Sequence, residues 1–348
     1  MRTVQSERFA RGLFQILLKD FEEAAHPRDE GGRFAPSEAR RVAEAMLPGP
    51  SGGKPLKHPQ KAVQGNSKAM LAASAKDILQ YRESVAKERY LGGGEGEVWK
   101  VELKDGSKAV YKPTKGSVIQ TKLLNYGLGD EDTTIDTSIK ESDREVAAFQ
   151  LSQAAGFDIV PPVEKVTYFP MDRSEEAKKH YASPGGGHAM AWVDGEEADK
   201  DDARFTADIA AGHPDLHRIA ALDFITGILD RHEGNFMHGN DGRYYAVDSG
   251  LAFCRDSETG MYNSAPHREL ANTKIPDEVQ EEIRSITPET LTKIMKDAGF
   301  KDPDIQGATT RLGILKATTR WKTDVQMLAA AEDAYFQSGG RRRAGYIK

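Results

Sequence analysis

Apolar positions Phe9, Leu13, Ile16, Leu17 and Phe21 recur at helical spacing and predict a helix over residues 6–25. The pattern then breaks. Residues 26–66 are rich in Gly, Pro, Arg and Lys around PGPSGGKP, a composition too polar to offset its ordering entropy, so a mobile linker is expected there. A short helix over 37–46 interrupts it. Residues 67–90 read as a further helix leading into the glycine-rich run Gly92-Gly93-Gly94-Glu95-Gly96. VWKVEL, the turn Lys104-Asp105-Gly106-Ser107 and KAVYK then predict a β-hairpin. Residues 143–156 are helical, with Gly156 as the stop signal. VEKVTYF after Pro161-Pro162, and HAMAWV at 188–193, read as strands. A long apolar-periodic helix follows over 214–229, a short strand over 244–247, and mostly helix from Pro276 onward. Strands early and helices late predict an α+β chain with a small sheet-rich lobe and a larger helical lobe. The expected division is 1–66 as helix and linker, then 67–348 as one domain, its lobes meeting near 195. No internal repeat is visible.

Composition narrows the class. Of 348 residues, 38% are hydrophobic and 29% charged, which suits a chain with a real core. A net charge of -6 supplies no general drive toward nucleic acid or an anionic membrane, and no nucleic-acid partner is expected. Only the tail, Arg341-Arg342-Arg343 with Lys348, is locally basic. The single cysteine, Cys254, excludes a disulfide framework and any multi-cysteine metal site, and points to a reducing compartment. No signal-type segment opens the chain, and no window approaches the ~20 apolar residues of a membrane span. A soluble, cytoplasmic protein is expected. His213, His217 and His267 show no metal-ligand spacing, and Trp99, Trp192 and Trp321 are expected to pack.

The chemistry gathers in DRHEGN, Asp230 to Asn235, followed by YAVDSG, Tyr245 to Gly250. Phosphoryl transfer needs a group that orients or deprotonates the incoming hydroxyl, and oxygen ligands for Mg²⁺. A carboxylate, a carboxamide five residues on and a second carboxylate ending the next strand meet that need. Asp230, Asn235 and Asp248 stand in that order. HGNDG at 238–242 turns the chain between them, and Gly250 is expected to let the backbone turn away from the metal. Each residue alone has an ordinary reading: Asp230 as a cap, Asp248 as a turn residue, Lys112 and Glu145 as solvent-facing charges. Their conjunction carries the inference.

The Asp-Arg-His order resembles the phosphatidylinositol 3- and 4-kinase branch of the kinase superfamily, which includes bacterial and phage members. VYKP (Val110–Pro113) resembles the strand with the ATP-binding lysine, REVAAFQLSQAAGFDIVPPV (Arg144–Val163) the helix whose glutamate pairs with it, and AWVDGE (Ala191–Glu196) the adenine hinge. The likeness spans roughly residues 90–253 and implies a two-lobed kinase-like fold using ATP and Mg²⁺. By that resemblance Lys112 holds phosphates and pairs with Glu145, Asp230 is the base, and Asn235 and Asp248 are the Mg²⁺ ligands. Gly92, Gly93, Gly94 and Gly96 cover the phosphates, and Trp192 and Val193 lie at the adenine. Arg231 and His232 are expected to brace the loop.

The chain also departs from that family. Ser249 replaces the phenylalanine common after the metal-binding aspartate, and a long insert, 116–141, separates Lys112 from Glu145's helix. Residues 251–274 balance Arg255, Arg268 and Lys274 against Asp256, Glu258 and Glu269, which does not favour a polyanionic lipid headgroup. A protein Ser/Thr hydroxyl is the expected acceptor, ahead of a small molecule or lipid. HPRDEGGRFAP (His26–Pro36) resembles a segment of phage head and portal-associated proteins and implies a phage or host protein partner. A virion-associated binding protein and an AMP transferase are the alternatives.

Overall fold

The computed structural model describes residues 85–92, 97–104, 106–113, 139–167, 186–253 and 262–337. The expected N-terminal helices and linker, Gly93, Gly94 and Gly96, most of insert 116–141, Cys254 and the basic tail lie outside them. The chain divides into two compact units. Ala203–Ala210 belongs to the first; apart from the helix that contains it, everything below concerns the second, Lys57–Asp202 with Ala211–Lys348.

Five antiparallel strands form the first sheet: β1 (Val85–Gly92), β2 (Val98–Leu103), β3 (Lys108–Pro113), β4 (Val163–Thr167) and β5 (Gly186–Ala191), in the order β1-β2-β3-β5-β4. The β2–β3 hairpin is the one expected, with Trp99 opposite Tyr111 and Val101 opposite Ala109. Alternation along it sends Trp99, Val101, Leu103, Ala109 and Tyr111 into one core cluster with Ala189.

Where a helix is expected through residue 90, Val85–Gly92 form strand β1; the rest of that expected helix lies outside the described residues. VAKERY contains good helix formers, but Val85 and Tyr90 pack against the hairpin's core, Tyr90 lying 5.1 Å from Trp99 between ring centroids. Pairing with β2 supplies both the hydrogen bonds and the apolar surface, and this overrides a weak local propensity.

Between β3 and β4 runs α1 (Glu141–Ala155), which ends as expected at Gly156, φ 75°. There the N–H groups of Gly156 and Phe157 reach the carbonyls of Gln153 and Ser152. Arg144 and Glu145 are fully buried, so neither is a surface charge. The Arg144 guanidinium donates to the Ala252 and Phe253 carbonyls and lies 5.2 Å from the Phe300 ring.

The remainder is mainly helical. After β6 (Gly195–Glu197) and α2 (Asp202–Ala211) comes α3 (Pro214–Thr226), then β7 (Phe236–Gly239) and β8 (Tyr244–Ala246), which pair with β6 in the order β6-β7-β8. Helices α4 (Ala265–Glu269), α5 (Asp277–Ser285), α6 (Pro288–Asp297), α7 (Asp302–Ala317) and α8 (Asp324–Gln337) complete it. Helix α3 stops short of the expected Leu229 because Gly227 takes a left-handed conformation at φ 60°. Its buried face carries Leu216, Ile219, Ala220, Phe224 and Ile225. An antiparallel sheet with one helix between its third and fourth strands, followed by a helix-rich part, is the expected α+β arrangement, with strands early and helices late. None of the helices among the described residues is long and apolar enough to cross a membrane.

Two histidines sit neutral in the helical core. Trp321 Nε1 donates to His217 Nδ1 at 2.8 Å, and His267 lies between the Tyr262 hydroxyl and the Lys322 carbonyl. Burial lowers both to a pKa of about 4. Between that value and the ordinary value of 6.5, the unfolded chain binds protons that the folded chain does not, so stability falls as pH falls through this window. The urea midpoint is expected to drop from pH 7 to pH 5, and His267→Phe to flatten that dependence. A slope unchanged in the variant would refute the assignment.

Candidate functional site

The site begins where α3 ends. Past Gly227 the chain pairs locally: Leu229 N–H donates to the Leu251 carbonyl, and Arg231 exchanges main-chain hydrogen bonds with Asn263 and Ala265. The Arg231 side chain then joins the two halves of the motif. Its Nε donates to Asp223 Oδ1 at 3.1 Å, and its terminal nitrogens donate to the carbonyls of Asn235 (2.8 Å) and Val247 and to Ser249 Oγ (2.9 Å). Asp223, wholly buried, also accepts from Ser264 Oγ at 2.8 Å. Burial pushes this carboxyl up, and the adjoining Arg231 guanidinium draws it back. His232 Nδ1 accepts from Gly234 N–H and caps a single 3₁₀ turn, Glu233–Asn235. Arg231 and His232 therefore serve the loop.

Asp230, half-buried, accepts a hydrogen bond at its carbonyl from Asn235 Nδ2 at 2.7 Å. With the amide nitrogen so occupied, Asn235 Oδ1 is the atom left to ligate a cation. The Asn235 carbonyl accepts from Val247 N–H at 3.0 Å, which sets the loop beside the residue preceding Asp248. Asp248 has a left-handed backbone, φ 59°, a conformation aspartate adopts more readily than most residues.

Lys112 lies near the end of β3, opposite His188 of β5, and its Nζ is 3.1 Å from Asp248 Oδ2. The direct partner is thus Asp248 rather than the expected Glu145, which acts on Lys112 through its charge. Burial works to deprotonate Lys112, but Asp248, Glu145 and Glu141 outweigh it and hold its pKa above the ordinary value. His188, buried beside the same group, is lowered to about 4 by burial and by Lys112.

Glu141 is a site residue that the motifs did not single out. It starts α1 one turn before Glu145, and single ligating atoms of Glu141, Glu145 and Asp248 lie within 4.8 Å of one another. Burial, then the charge of Asp248, raises the Glu141 carboxyl. Glu145 is raised chiefly by burial, against the pull of Lys112. The Ser249 N–H favours its ionised form, yet neither Glu145 oxygen makes a hydrogen bond of normal geometry. The signal was present in principle, since Glu141 and Glu145 are spaced i,i+4. Starting the helix at Asp143 leaves Glu141 in the insert and hides that face.

Gly250 serves differently from the expectation. A Cβ there would lie 2.3 Å from Glu141 Cγ and 2.8 Å from Cδ, so the missing side chain is what admits Glu141.

At the expected hinge, Trp192 N–H is already committed to the Lys108 carbonyl at 3.1 Å. Its indole donates to Asp194 Oδ1 at 2.9 Å and carries Lys100 Nζ 3.8 Å from the ring centroid. Trp192 is therefore tied to the start of β3, with half-buried Val193 following it. Gly92 closes β1 opposite Val98.

No protein-family model and no curated protein matches the sequence. Solved structures similar to the chain include the Golgi casein kinase, at 15% identity over 79% of each chain and a TM-score of 0.41. The Golgi casein kinase with Mn/ADP bound shows 16% identity over 78% of each chain and a TM-score of 0.42. A third is the Rv3197–erythromycin complex from Mycobacterium tuberculosis, at 15% identity over 97% of this chain and 93% of that one, TM-score 0.29. At such scores the chemistry of the site rests on its own geometry.

Proposed function

We propose that the chain transfers the γ-phosphoryl group of ATP to a hydroxyl. The observation that supports this reading is the 3.1 Å approach of Lys112 to Asp248, with the Asp230–Asn235 loop tied to the same segment through Arg231. In this reading Lys112 binds phosphate oxygens and Glu145 biases its position. Asp230 orients the acceptor hydroxyl and takes its proton as the new O–P bond forms and ADP departs. The oxygen donors Asp248 and Asn235 Oδ1 suit a hard cation such as Mg²⁺. That ion would neutralise charge on the phosphate oxygens.

A protein Ser/Thr hydroxyl fits the site's surroundings better than an inositol lipid. Arg268 is 3.4 Å from Glu233, and Lys274 is 2.6 Å from Asp277, so both described cations of the 251–274 segment already have carboxylate partners. Kinship with the phosphatidylinositol-kinase branch rests on the Asp-Arg-His order alone.

The test is incubation with Mg²⁺ and ATP labelled at the γ- or the α-phosphate, alone and with cell lysate. Label transferred from γ only is the expected result. Label from α only would mean AMP transfer, and failure to bind ATP would leave a binding role such as virion association.

A further inference from the structure

We propose that Glu141, Glu145 and Asp248 form a binding site for an oxygen-ligated divalent cation that fills without nucleotide. The inference uses the site of the phosphotransfer reading, but does not depend on transfer taking place.

Glu141 and Glu145 share one face of α1, and the turn around Asp248 brings the third carboxylate to them. Like charges at i,i+4 repel weakly even in an isolated helix, so a compensating charge favours this spacing. Oxygens around a single cation at about 2.1–2.4 Å can be separated by at most about 4.2–4.8 Å. The three ligating atoms, all within 4.8 Å of each other, therefore suit one coordination sphere with small adjustment.

A separate observation points to a missing partner. Both Glu145 oxygens are buried without a hydrogen bond, in a side chain of zero exposure directed into the cluster. His188 Nε2 lies 3.9 Å from one of these oxygens, beyond hydrogen-bond distance, and the Ser249 N–H favours the ionised form without making a hydrogen bond of normal geometry. A buried carboxylate left in that state is costly unless it takes up a proton or something supplies positive charge. Lys112 answers for one of the three carboxylates and is held by Asp248. Arg231 is committed to Asp223 and to the loop carbonyls. In their ionised forms, which a bound cation favours, Glu141 and Glu145 leave two negative charges for a dication to balance. Gly250 completes the cradle, since any larger residue would collide with Glu141.

The direct test titrates Mn²⁺ into the full nucleotide-free chain and follows free Mn²⁺ by electron paramagnetic resonance. Wild type is expected to bind one ion. Glu141→Gln, which keeps the shape beside Gly250 and removes the charge, is expected to weaken that binding at least about tenfold. Gly250→Ala, which displaces Glu141 while leaving all three carboxylates in the chain, is expected to weaken it too. Circular dichroism checks the fold, and Glu145→Gln serves as the replacement variant if Glu141→Gln fails to fold. Wild type that takes up no Mn²⁺ without nucleotide, or Glu141→Gln that binds it as wild type does, would overturn the proposal. Mn²⁺ binding without label transfer would retain this site and remove the phosphotransfer reading. Transfer without nucleotide-free Mn²⁺ binding would do the reverse.

Discussion

Asp248→Asn is expected to reduce γ-phosphoryl transfer by about a thousandfold or more, with little change in thermal stability. Loss of a metal-ligating charge at a phosphoryl centre removes several kcal/mol of transition-state stabilisation, and about 4 kcal/mol corresponds to a factor of a thousand. Asparagine is the informative replacement because it also tolerates the left-handed backbone at φ 59°. The variant thus removes charge without adding strain. It also frees Lys112 from its 3.1 Å partner, so the lysine should turn toward Glu145. Single-turnover transfer of labelled phosphate, with the melting temperature measured alongside, decides the matter. Transfer at the wild-type rate would refute Asp248 as a ligand.

Arg231→Met is expected to give the largest stability loss of any single change in the loop. The guanidinium is buried and paired with buried Asp223, while its other nitrogens bind the carbonyls of Asn235 and Val247 and Ser249 Oγ. Removing it strands a buried carboxylate and orphans those acceptors, at a cost of ~3–5 kcal/mol. At about 2–4 °C per kcal/mol, the melting temperature should fall by on the order of 10 °C. Adding Asp223→Asn should recover part of the loss, because the stranded charge is then gone. Equal melting of the single and double variants would show that the ion pair is not what holds the loop. Transfer should fall as well, since Arg231 fixes Asp230 and Asn235 relative to Asp248.

The sequence by itself determined the features whose causes are local. The β2–β3 hairpin follows from two alternating runs around Asp-Gly. The end of α1 follows from Gly156, whose φ of 75° suits glycine. The order of Asp230, Asn235 and Asp248 is likewise legible, because the turn-forming stretch between them is short. Tertiary structure decided what depends on partners distant in the chain. Val85–Gly92 became strand through contact with the hairpin rather than by propensity. Arg144 and Glu145, each of which alone would read as a surface helix charge, are buried because the Ala252 and Phe253 carbonyls receive one and the Lys112–Asp248 group surrounds the other. Gly250 is small because Glu141, far earlier in the chain, needs its space. Glu141 itself gained a role only when the fold brought three carboxylates together. Periodicity reports which face of an element is apolar, and turn chemistry reports where the chain bends. Neither encodes which charge lies across a packed interface, and that is where the chemistry of this site is decided.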